Sequence, residues 1–347
     1  MKHIKGFDAL RAFSIILVIA SHLGLYFELP EIAFYRVRLW GVISGTAGVQ
    51  VFFTLSGFLI TKLLLEEKIK SGKINFKFFY IRRFLRLLPP LFIFFSGITV
   101  LMLIDSINSD KQALVYSFFY LYNFVHNNHY LPELAHTWSL AVEEQYYLIW
   151  PMLVLFFSRF KITVIIILIL ILSCIASYVL PTFKFTEGYY TERWIIPALA
   201  PILIGSYFAY LTIYSSKRVV YFFQNFGKAL LFVAIFLFVY PLYAPLKWME
   251  IRYVFQAIGT GLLLLWILQN QKSKITQILS FKPLSYIGRI SYGIYIYQGL
   301  FLRTGPGGEL WIQQSPQNII LVLMVAIISF ELIERPILKL KKKFYNI

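Results

Sequence analysis

Residues 162–180 read ITVIIILILILSCIASYVL. No side chain in that run is charged, and a helix of roughly 20 such residues crosses the hydrocarbon core of a bilayer. The rest of the chain has the same character. Of 347 residues, 59% are hydrophobic and only 14% charged, and mean hydropathy is +0.70. Soluble domains carry roughly 25% charged residues. With 34 Phe and 24 Tyr for lipid-facing and interfacial positions, the composition predicts an all-α, polytopic integral membrane protein.

Apolar windows of spanning length fall near 7–27, 46–65, 84–104, 138–157, 162–180, 194–213, 228–244, 251–269, 287–303 and 318–338. The segment 112–124, QALVYSFFYLYNF, is apolar but short. Loop charge decides its status. With Lys2 and Lys5 in the cytoplasm and ten spans, the basic loops 62–86, 158–161, 214–218 and 270–282 and the tail all fall inside. The outer loops 105–137, 181–193, 245–250 and 304–317 are poor in Lys and Arg. Counting 112–124 as a span would move the Lys217 and Lys272 clusters outside. The expectation is therefore about ten transmembrane helices with both termini cytoplasmic, and 112–124 interfacial or re-entrant in an outer loop. A single transmembrane domain over 1–347 is expected, with neither a cleaved signal peptide nor an appended soluble domain.

The net charge of +17 does not point to nucleic acid, because the basic residues lie between apolar runs rather than on one soluble face. Cys174, the single cysteine, sits in the 162–180 run, so no disulfide and no cysteine-based metal site is expected.

Charges inside spans cost at least ~2.5 kcal/mol each on insertion scales and mark function by default. The first span holds Asp8, Arg11 and His22. Arg11 and His22 are separated by about three turns plus 20°, so they share a face about 16 Å apart along the axis. Arg11 can also be read as a snorkelling anchor, and His22 as a packing residue. The fourth span opens His136-Thr137-Trp138-Ser139-Leu140-Ala141-Val142-Glu143-Glu144-Gln145-Tyr146-Tyr147. Ser139, Glu143 and Tyr146 share a face, with Glu144 turned about 100° away toward another helix. If the first span runs to residue 27, Glu143 is level with His22 and can orient its imidazole. A structural ion pair is the competing reading.

Arg83 and Arg86 stand at the entry of the third span and share a face. Paired guanidinium groups suit phosphate, or lipid headgroups. Gln50, Thr54, Gly57 and Thr61 make a stripe suited to close helix packing. Ser291, Tyr295 and Gln298 share a face of the ninth span and can line a cavity. Glu334-Arg335-Pro336 reads as a structural ion pair.

Together these motifs resemble the membrane acyltransferase family 3, the bacterial integral-membrane O-acyltransferases of surface polysaccharides. The resemblance rests on Phe7-Asp8-Ala9-Leu10-Arg11 with His22, Gln50 to Phe53 with Leu55 to Phe58, Tyr80 to Arg86 with Pro89, His136 to Pro151, Ser291-Tyr292 with Tyr295, and Glu334-Arg335-Pro336. It covers nearly the whole chain. It implies a multi-pass protein of the bacterial cytoplasmic membrane that moves an acyl group, usually acetyl, from acyl-CoA to a hydroxyl of a surface glycan or lipid-linked saccharide. Acetyl-CoA is then a donor substrate, and no permanently bound cofactor or metal is expected. Under this resemblance His22 is the base or the acyl carrier, with Glu143 and Glu144 as catalytic partners. Arg11, Arg83 and Arg86 hold the CoA phosphates, and Trp138, Ser139, Tyr146, Tyr295 and Gln298 contact substrate. Many members carry a histidine where this chain has Gln298, which puts an acid–base role there in doubt. A transporter or flippase for a glycosidic or anionic substrate is the alternative, although no internal symmetry of two halves is visible. An inactive scaffold is a third.

Overall fold

The computed structural model describes residues 4–25, 44–215, 226–240, 249–303, 305, 307–340 and 344. Each of the ten apolar windows becomes a helix: α1 Phe7–His22, α2 Gly45–Ser71, α3 Phe76–Leu103, α4 Thr137–Phe156, α5 Arg159–Val179, α6 Ala200–Tyr214, α7 Gly227–Val239, α8 Met249–Gln269, α9 Lys282–Phe301 and α10 Gln317–Ser329. No β-strand occurs among the described residues, where an isolated bridge joins His126 and Tyr189. Four helices are long and apolar enough to cross a membrane by length and composition: 45–71, 76–103, 159–182 and 251–269. The segment 112–124 is a short helix, Lys111–Phe118, and a 3-10 turn, so it is far below spanning length.

α2 is the hub, packed against α1, α4, α6 and α8, while α9 packs against α1, α3 and α10. The α2–α6 crossing is close because both helices present glycine there. A Cβ on Gly57 would lie 1.9 Å from the Ile202 carbonyl oxygen, and one on Gly205 would lie 1.9 Å from that of Thr54. The small-residue stripe of α2 is thus a packing face at Thr54 and Gly57. Further along, Trp150 Nε1 donates to Thr61 Oγ1 at 2.7 Å, and Lys68 Nζ caps the end of α4 through the carbonyls of Val154 and Leu155. α5 lies at the periphery, with Ile167, Leu168, Ile171, Leu172 and Ile175 exposed, an apolar outer surface suited to lipid.

Two boundaries differ from the sequence expectation and move functional residues. α1 ends at His22 instead of reaching residue 27, because Gly24 adopts φ 71° and the Leu23, Gly24 and Leu25 N–H groups fold back on the Ile19, Ser21 and Ala20 carbonyls. α3 begins at Phe76, capped by Asn75 Oδ1 accepting from Phe78 N–H at 3.0 Å. The arginines therefore lie inside that helix, not at its entry. The expected Glu334–Arg335 pair is replaced: Arg335 pairs with Glu331 at 2.5 Å, and Glu334 accepts from Ser329 Oγ at 3.0 Å. A π turn over Phe330–Glu334 produces this by shifting the register of the last helix. In the long loop, burial works to raise the Asp110 carboxyl, but the Ala113 N–H and His129 hold it below its ordinary range.

Candidate functional site: an arginine cavity and its neighbour

Three helices present stripes at helical spacing to one cavity of about 220 Å³: Phe79, Arg82, Arg83, Arg86 and Leu87 on α3; Ser139, Leu140, Glu143, Glu144 and Tyr147 on α4; Ser291, Tyr292 and Tyr295 on α9. α2 supplies a wall from Val49 to Leu63, apolar apart from Ser56 and about 21 Å of helix, and α1 adds Arg11. The cavity is long, cationic toward Leu63 and polar but uncharged at Ser139 and Tyr295.

Its charges are largely matched. Arg11 pairs with Asp8 at 2.7 Å, and Arg82 with Glu67 at 3.3 Å, also donating to the Phe344 carbonyl at 2.8 Å. Arg83 stacks over the Tyr147 ring, 4.0 Å from its centroid, within electrostatic reach of Glu143 and Glu144. Ser56 Oγ and Tyr147 OH both donate to Glu143 Oε1. Arg86 differs, since among the described residues it makes no hydrogen bond and no close ion pair, although it faces Glu144 through space. At the other end, Ser139 Oγ and Tyr295 OH are 2.5 Å apart, and Tyr295 also donates to the His136 carbonyl at 3.0 Å.

Several expected site residues meet here: Arg11, Arg83, Arg86, Ser139, Glu143, Glu144 and Tyr295. Glu144 lines the same cavity as Glu143 and lies within electrostatic reach of Arg83 and Arg86 of α3, a helix other than that of His22. The Glu143–His22 pairing is corrected. Glu143 is occupied by Ser56 and Tyr147, and α1 stops at His22, leaving it level with the start of α4. His22 lies within electrostatic reach of His136, whose ring meets Phe94 and Tyr295 edge-on at 5.3 and 5.5 Å. Its Nδ1 is buried without a partner among the described residues. Tyr146 points elsewhere: its hydroxyl is 2.7 Å from Ser206 Oγ and 3.2 Å from Thr61 Oγ1, in the packing between α2, α4 and α6. Gln298 is fully buried, both amide atoms lack partners among the described residues, and it lines neither cavity.

Trp138 belongs to a second cavity with Gln50, Glu192, Arg193 and Tyr253. Phe53 lines both cavities, and its ring meets Trp138 edge-on at 6.0 Å.

A family model described as an acyltransferase domain matches residues 4–333. The chain belongs to the acyltransferase domain family. The peptidoglycan O-acetyltransferase OatA of Listeria monocytogenes is 30% identical over 376 residues, covering 97% of this chain and 56% of its own length. The O-acetyltransferase OatA of Staphylococcus aureus is 28% identical, with 97% and 58% covered. A putative peptidoglycan O-acetyltransferase, YrhL of Bacillus subtilis, is 28% identical, with 97% and 55% covered. The chain thus spans little more than half the length of these curated relatives. No solved structure matches it.

In this acyltransferase domain, sequence reasoning missed Arg82, Ser56, Tyr147 and His136. Arg82 was hidden because three arginines crowd within five positions, and helix phase alone does not say how wide the cavity is. Tyr147 was legible: it is four residues after Glu143, the spacing at which a hydroxyl reaches a carboxylate on the same face.

Proposed function

We propose that this protein is an integral-membrane O-acyltransferase of the bacterial cytoplasmic membrane, ten-spanning with both ends in the cytoplasm. It moves acetyl from acetyl-CoA to a hydroxyl of a cell-wall glycan, with peptidoglycan, the substrate in its relatives' names, as the acceptor. The observation that carries this is Arg86, without a hydrogen bond or close ion pair among the described residues, beside Arg11, Arg82 and Arg83 at one end of a long cavity whose other end is uncharged. Guanidinium groups bind phosphate bidentately, and a cation in a membrane cavity whose carboxylates, Glu144 and Glu334, act on it only through space suits an anionic ligand. About 21 Å of wall, apolar apart from Ser56, accommodates a narrow pantetheine arm.

His22, which lines neither cavity but has its Nδ1 buried without a partner among the described residues, is the base. The acceptor hydroxyl gives its proton to the imidazole and its oxygen bonds to the thioester carbonyl carbon. The C–S bond then breaks, and the departing CoA thiolate takes the proton back from the imidazolium. Transfer through an acyl-imidazole at His22 gives the same products in two steps. Glu143 and Glu144 balance the arginines, and the Ser139 hydroxyl, beside Tyr295, can turn to donate to the carbonyl oxygen as charge develops there.

The test is purified protein in lipid nanodiscs with radiolabelled acetyl-CoA and a soluble peptidoglycan fragment. Labelled saccharide is expected, and His22→Ala should lower its rate by about 10²–10⁴-fold. Near-normal transfer by His22→Ala overturns the role of His22. Saccharide flux into proteoliposomes without acetyl-CoA consumption overturns the enzyme reading in favour of transport.

A further inference from the structure

The second cavity has a volume of about 300 Å³, at the lower end of small-molecule sites, which run roughly 300–1,000 Å³. Three of its groups look built for a ligand. Gln50 is 5% exposed, and its Oε1 is buried without a hydrogen-bond partner among the described residues. A buried acceptor left unsatisfied is costly, and a ligand N–H or O–H removes the cost. Trp138 supplies an aromatic edge with a polar tip. The Arg193 guanidinium lies 3.9 Å from the Tyr190 ring centroid and 5.9 Å from that of Trp138, so stacking fixes its plane. Its contact with Glu192 is long, 3.6 Å, and leaves N–H donors for another partner.

An aromatic surface, a bare amide oxygen and a stacked guanidinium fit a polyhydroxylated ring with an amide N–H and a carboxylate. We propose that this cavity is the acceptor subsite and takes an N-acetylated saccharide bearing a carboxylate. The proposal rests on the acyltransferase reading above. It assigns the two substrates to two chambers: phosphates to the arginine cavity, saccharide to the aromatic one. Phe53, shared by both, and Trp138, edge-on against it, form the partition that the acceptor hydroxyl must pass to meet the thioester.

The experiment uses the full chain in nanodiscs with acetyl-CoA and the disaccharide of N-acetylglucosamine and N-acetylmuramic acid as probe. Gln50→Leu keeps the bulk and removes the amide. It should raise the KM for disaccharide at least about tenfold, leave the KM for acetyl-CoA within about twofold, and hold or raise the thermal midpoint. Arg193→Lys, which loses the planar fork but keeps the charge, should act in the same direction. Unchanged disaccharide KM in both variants, or a rise confined to the acetyl-CoA KM, overturns the subsite. No transfer by the unsubstituted protein overturns the acyltransferase reading instead. Equilibrium binding of disaccharide without acetyl-CoA then decides the subsite alone: weaker binding by Gln50→Leu supports it, and equal binding rejects it.

Discussion

The two cavities meet at Phe53 and are furnished from neighbouring positions of one helix, yet they solve different problems. Ser139, Glu143, Glu144 and Tyr147 of α4 face the arginine cavity, while Trp138 faces the other. The arginine cavity concentrates charge and balances most of it internally, through Asp8, Glu67, Glu143 and Glu144, leaving Arg86 without a close partner among the described residues. The aromatic cavity holds little charge and leaves an amide oxygen bare. The unsatisfied group in each chamber, a cation in one and an acceptor in the other, is the clue to its ligand. Everything else in the first chamber pays down the cost of keeping four guanidinium groups inside a membrane domain.

The largest effect is expected from Arg86→Ala. Losing hydrogen bonds to a charged phosphate costs about 1.5–3 kcal/mol, so the acetyl-CoA KM should rise roughly 10–150-fold while the saccharide KM stays put. Steady-state kinetics with each substrate varied in turn checks this, and a parallel rise in both constants would mean that the chambers do not divide the substrates. Trp138→Ala comes next. Thinning the partition should admit water to the thioester, so acetyl-CoA hydrolysis without saccharide should increase about threefold or more as transfer falls. Thiol release followed with a chromogenic disulfide measures it, and unchanged hydrolysis would remove the partition role. The smallest effect is expected from Tyr146→Phe, outside both chambers. It deletes the hydroxyl shared with Thr61 and Ser206, at about 0.5–1.5 kcal/mol. A lowered thermal midpoint with both KM values intact is the expected result. A change in either KM would return Tyr146 to the substrate-contact role that its place in the motif suggests.

Much of the site was legible because membrane insertion makes each intramembrane charge conspicuous. Arg11, Arg83, Arg86, Glu143 and Glu144 stand out from an apolar background, and all five line one cavity. What failed was the pairing between helices. An α1 reaching residue 27 puts His22 level with Glu143, but Gly24 ends the helix at His22, a stop that Ser21-His22-Leu23-Gly24 already spells. Helix phase puts Tyr146 on the cavity face, because three-residue spacing from Glu143 is nearly as good as four. Only packing against Ser206 of α6 shows that the true face is centred toward Tyr147.

The sequence by itself determined the solvent, the helical windows and which charged side chains are out of place in lipid. These follow from transfer free energies and a 1.5 Å rise, which are local properties. Tertiary structure alone decided that the carboxylates serve the arginines and not His22, that Trp138 and Ser139 look into different chambers, and that Gln50 and Arg86 are left without close partners among the described residues. Those facts depend on how close α2 comes to its neighbours. That closeness is set at Gly57 and Gly205, where a single Cβ would meet a carbonyl oxygen of the facing helix at 1.9 Å.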